Sequence, residues 1–95
     1  MPSIDNKFLK RADAHIALAN EQLSNEVSQG DVSASFMYGT ARFNAWIAAC
    51  SFESADEMAR EKEEIMNYFI KKYKEALEEH VNHHIEHFDF SANAN

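Results

Sequence analysis

Four histidines fall within the eight residues HVNHHIEH, at positions 80, 83, 84 and 87. On a helix, side chains step round by about 100°, so His80, His83, His84 and His87 occupy an arc of roughly 100°. The pairs His80/His84 and His83/His87 are each one turn apart, the spacing from which two imidazoles reach one zinc or nickel ion. Two ligands do not close a structural site, so further donors would have to come from Glu79, Glu86, Asp89 or a second chain. The plainer account places the imidazoles beside an apolar stripe, with their carbon faces covering its edge and their nitrogens meeting water or glutamates. A third account is a pH-responsive surface, because imidazole titrates close to physiological pH. We adopt the plainer account and keep divalent-metal binding as the alternative.

A second polar group lies upstream. Arg42 and Asn44 stand on an otherwise apolar segment and must be paired if buried. The expected partners are Asp13, as an ion pair with Arg42, and Asn20, as a cross-link to the second helix. The alternative is a small polar pocket for a carboxylate. His15, one turn from Arg11, reads as an edge contact. An enzyme ranks third among the readings, with Asp13, His15 and Arg42 as its best cluster. No phosphate-binding glycine loop, nucleophile elbow, HExxH pair or paired-cysteine knuckle is present, and no residue is assigned as catalytic. The three-residue Glu-x-x-His spacing of di-iron carboxylate bundles is also missing.

These groups must be held by helices. Two glycines and one proline in 95 residues are too few for many hairpins, while 45% hydrophobic residues suffice for a core. The first helix is expected from a cap at Ser3 or Asp5 to a stop at Gly30, with Phe8, Ala12, Ile16, Ala19, Leu23 and Val27 as its stripe. The second, capped by Asp31 or Ser33, runs from about Ala34 to Ser51. It is apolar nearly all round and reads as the central helix. Ser54 and Glu57 have capping-box spacing and open the third. From Met58 through Phe88 the helical period then continues without Gly or Pro. At 1.5 Å per residue that helix reaches roughly 50 Å against roughly 27 Å for the second. In an up-down-up bundle its end would overhang, leaving Leu77, Val81, Ile85 and Phe88 in water. Either the helix breaks near Asn82 and folds back, giving four helices, or a second chain covers the stripe across a two-fold axis. The second solution is preferred.

Ninety-five residues read as one helical domain over 1–90 with a frayed tail at 91–95. Sixteen acidic against nine basic side chains give a formal charge of -7. That charge disfavours nucleic acid and anionic membrane surfaces as partners. The most apolar window is interrupted by Arg42 and Asn44, so no membrane span is expected. The single cysteine, Cys50, has no internal partner; it reads as a small core residue in a reducing cytoplasm.

RADAHIALAN (11–20), ARFNAW (41–46) and YFIKKYKEAL (68–77) resemble a family of short proteobacterial helical proteins, a domain of unknown function, over about Phe8 to Phe88. The resemblance implies a small, soluble bacterial helical protein without an assigned activity, and it supplies no catalytic residues. Its signature lies in the first two helices, where Arg11, Asp13, Asn20, Arg42, Phe43, Asn44 and Trp46 hold the matching positions. The histidine-rich end is outside that signature. The combined expectation is an all-α cytoplasmic protein, not an enzyme, that acts as a protein-protein interaction module by forming a homodimer or meeting an unidentified protein. No cofactor is expected, with zinc or nickel as the alternative.

Overall fold

The computed structural model describes residues 4–93. The described residues are all-α: α1 (Asn6–Glu21), α2 (Gln29–Ala49), α3 (Ala55–Arg60), α4 (Lys62–His87) and a closing 3₁₀ turn, Phe90–Asn93. The chain divides into two compact units, residues 1–46 and 47–95.

In the first unit, α1 starts where the sequence indicates. Asp5 is extended (φ -129°, ψ -176°), and its Oδ1 accepts from the Phe8 amide at 2.8 Å, satisfying one free donor of the first turn. The other candidate cap, Ser3, lies outside the described residues. The helix ends at Glu21 rather than at Gly30, with the Gln22 amide donating three residues back to the Ala19 carbonyl at 3.1 Å. Two serines shape the connection that follows. Ser24 Oγ accepts from the Glu26 and Val27 amides, each at 3.1 Å. Ser28 Oγ accepts from the Asp31 amide at 3.1 Å, and Asp31 Oδ2 accepts from the Ser28 amide at 3.2 Å.

This reciprocal pair is a capping box with aspartate in the third position. The Ser28 carbonyl accepts the first α2 bond, from the Val32 amide at 3.1 Å, so α2 begins at Gln29 and not near Ala34. Gly30 sits inside the first turn with no positive φ, and its expected role as a helix stop is lost. Leu23 and Val27, expected on the α1 stripe, belong to the connection instead.

Val32 is the buried hydrophobic side chain among the described residues. The expectation of a dry α2 is corrected: Met37, Tyr38, Phe43, Trp46 and Ile47 are all exposed. Among the described residues of the first unit, α1 is the other helix. Cys50, expected in the core, is exposed just past the end of α2.

The second unit opens with the last turn of α2, closed by the Ser51 and Phe52 amides donating to Ala48 and Ala49 at 3.1 Å each. Ser54 is extended (φ -150°, ψ 159°) and its Oγ accepts from the Glu57 amide at 3.1 Å, as the capping-box spacing predicts. The single long third helix is corrected. It is interrupted at Glu61 (φ -97°, ψ 5°), whose amide donates three residues back to the Met58 carbonyl at 3.1 Å. Glu57, Glu61 and Glu64 stand four and three apart, where like charges oppose a straight helix. Regular bonding resumes from the Ile65 amide to the Glu61 carbonyl at 3.0 Å. From Lys62 the helix runs unbroken through Asn82, so the fourth helix arises at Glu61 and not by folding back near Asn82. Phe90–Asn93 form a closing 3₁₀ turn, and residues 94 and 95 of the expected tail lie outside the described residues.

Candidate interaction surface

α4 is 26 residues long, roughly 39 Å at 1.5 Å per residue. It presents two apolar faces with different surroundings. On one, Ile65 and Phe69 are half-buried and, with Phe52 and Tyr68, line an open concavity of about 470 Å³. On the other, Met66, Ile70, Tyr73, Leu77, Val81, Ile85 and Phe88 form a continuous stripe, every member exposed, from 44% at Phe88 to 66% at Ile85. The four positions marked from the sequence, Leu77, Val81, Ile85 and Phe88, are the C-terminal part of this stripe. The upstream members Met66, Ile70 and Tyr73 continue it at the same three- and four-residue spacing.

The histidines border and cap this stripe. The rings of His83 and His87 lie 4.7 Å apart between centroids, and His83 and His84 lie 5.8 Å apart. His84 meets the Phe88 ring edge-on at 5.6 Å, and Phe88 meets Phe90 at 5.1 Å. The Phe88 amide donates to the His84 carbonyl at 2.9 Å, so this aromatic run also closes the helix. His80 and His87 lie 3.8 and 3.6 Å from Glu79 and Glu86, their neighbours in sequence, with all four side chains largely in solvent. Among the described residues, no three His, Cys, Asp or Glu side chains form a group able to hold a metal ion.

The upstream polar cluster is placed differently from the sequence expectation. Arg11, Asp13, Asn20 and Arg42 are exposed, and Asn44 is half-buried. The ion pairs among the described residues do not include Asp13 with Arg42. Exposed groups are satisfied by water and need no protein partner, so nothing requires Asp13 to pair with Arg42. Asn44 and His15 do line one open concavity of about 650 Å³ between α1 and α2, with Phe36, Gly39, Thr40 and Phe43.

The fold and this surface define a small all-α protein whose final helix carries an uncovered apolar side. No helix among the described residues is long and apolar enough to cross a membrane. The chain belongs to the family described as "Protein of unknown function (DUF3144)", whose model matches residues 8–85. It is similar to a protein from Shewanella sp, NB7890A, solved by NMR, with 41% sequence identity over 99% of this chain and 100% of that one and a TM-score of 0.79. No curated protein matches the chain. The family description names no enzymatic activity.

Proposed function

We propose that this chain is a non-enzymatic helical interaction module that associates with a second copy of itself through the apolar stripe of α4. The supporting observation is the stripe's exposure over its whole length, Met66 to Phe88, on a helix without a break. Seven large side chains that each keep 44–66% of their surface exposed offer an area approaching the ~800 Å² per partner of a standard specific interface. Isolated apolar side chains on a surface are ordinary, but a contiguous stripe of this area marks a contact site. Its spacing fits a rod-like contact as well. Six steps cover the 22 residues from Met66 to Phe88, about 3.67 per step, close to the 3.6 of a straight helix, so the stripe runs along the helix rather than winding round it. The exposed thiol of Cys50, with no internal partner, fits a reducing cytoplasm.

Light scattering at micromolar concentration tests the proposal. The expected mass is twice that of the 10.9 kDa chain, falling to one chain when Val81 or Ile85 is replaced by aspartate with the helix content retained. A monomeric mass for the unaltered protein throughout the micromolar range refutes it.

A further inference from the structure

We propose that the two copies pair their α4 helices antiparallel, with Leu77 on the two-fold axis. This rests on the self-association proposed above, and two features of α4 bear on the orientation: the spacing of the stripe permits it, and the charges beside it favour it.

The first is the spacing of the stripe about its centre. Met66 stands eleven residues before Leu77 and Phe88 eleven after; Tyr73 stands four before and Val81 four after; Ile70 and Ile85 are seven before and eight after. An antiparallel isologous contact requires a surface that matches itself when reversed, a condition a parallel pair does not impose. Reversed about Leu77, Met66 falls level with Phe88 and Tyr73 level with Val81, while Ile70 falls level with His84 and one residue, about 1.5 Å of rise, from Ile85. Tyr73 then packs on the partner's Val81, and the thioether of Met66 reaches the ring of the partner's Phe88, a favourable sulfur–aromatic contact.

The second is charge. Lys71, Lys72 and Lys74 precede Leu77, while Glu75, Glu78 and Glu79 surround and follow it. Lys72 is engaged locally, 4.0 Å from Glu75 and with its ammonium 6.0 Å from the Tyr68 ring centroid. Lys74 and Glu78 lie along the same edge of the stripe, and neither makes an ion pair among the described residues. A parallel pair would place lysine turn beside lysine turn and glutamate turn beside glutamate turn. An antiparallel pair about Leu77 brings each Lys74 within two residues, about 3 Å of axial rise, of the partner's Glu78. Long side chains span that offset, and the contact occurs twice by symmetry. Opposed charges beside a helical seam set orientation in this way.

Disulfide trapping in the full chain with Cys50→Ser tests the orientation. Leu77→Cys is expected to yield a covalent dimer under mild oxidation. Met66→Cys and Phe88→Cys alone are expected to give none, whereas their mixture gives a Met66→Cys/Phe88→Cys cross-linked pair. Self-linking of Met66→Cys or Phe88→Cys, with a dimeric mass, overturns the antiparallel arrangement while leaving self-association intact. No link at Leu77→Cys together with a monomeric mass overturns self-association itself, and the orientation with it. In a separate arm, Lys74→Glu is expected to weaken the dimer roughly five- to tenfold, and Lys74→Glu with Glu78→Lys to recover most of that loss. An unchanged affinity in Lys74→Glu overturns the charge register.

Discussion

Leu77→Ala is the most direct measure of how much the α4 stripe contributes to association. Leu77 is 47% exposed, so about half of its surface is still available to be covered by a partner. Fully burying a leucine is worth about 1.5–3 kcal/mol, which makes the uncovered half worth about 1 kcal/mol. A residue on a two-fold axis counts once from each copy, giving about 2 kcal/mol per dimer. At 1.4 kcal/mol for each factor of ten, the dissociation constant should rise about 30-fold. The fold itself should tolerate the change, since alanine is the better helix former by a small margin. Sedimentation equilibrium over a range of loading concentrations reads the constant, and far-UV circular dichroism checks the helix content. Tyr38→Ala, on α2 and 72% exposed, serves as the control and should change the constant by less than about twofold. A Leu77→Ala dimer as tight as the unaltered one, with helicity preserved, refutes the reasoning.

Three further outcomes test local parts of the structure. Ser28→Ala removes one arm of the Ser28–Asp31 capping box; it should cost about 1 kcal/mol and lower the melting temperature by about 4–8 °C in a calorimetric scan. Gly39→Ala should raise the melting temperature, because a Cβ there meets nothing within 4 Å and replacing a helix-interior glycine gains about 1 kcal/mol. A fall instead would show that the open space beside Gly39 is used by an approaching group. Zinc in the micromolar range should leave the melting temperature unchanged, since the described histidines offer pairs and no group of three donors. A specific site saturated about 100-fold above its dissociation constant would add about 2.7 kcal/mol of stability and raise the midpoint visibly.

What could be read directly was what lies within one turn of backbone. Asp5 and Ser54 cap helices because a side-chain oxygen reaches an amide three residues on, and both ends of that bond are in the local sequence. The stripe positions Leu77, Val81, Ile85 and Phe88 were readable for the same reason, since three- and four-residue spacing needs only a helix to become a face. The α1–α2 connection was harder because Ser24, Ser28, Asp31 and Ser33 all offer capping oxygens. Which of them wins depends on which amides the chain leaves free when it turns. The structure selects Ser24 for the turn and Ser28 for the cap.

The sequence by itself determined the helical class, two of the caps, and the apolar and charged edges of α4, since each is fixed by covalent neighbours a few residues apart. Only the tertiary structure decided that Arg11, Asp13, Asn20, Arg42 and Cys50 stand in solvent. Burial depends on what packs against a residue from distant parts of the chain. A residue's type states the cost of burying it, and its surroundings decide whether that cost is incurred.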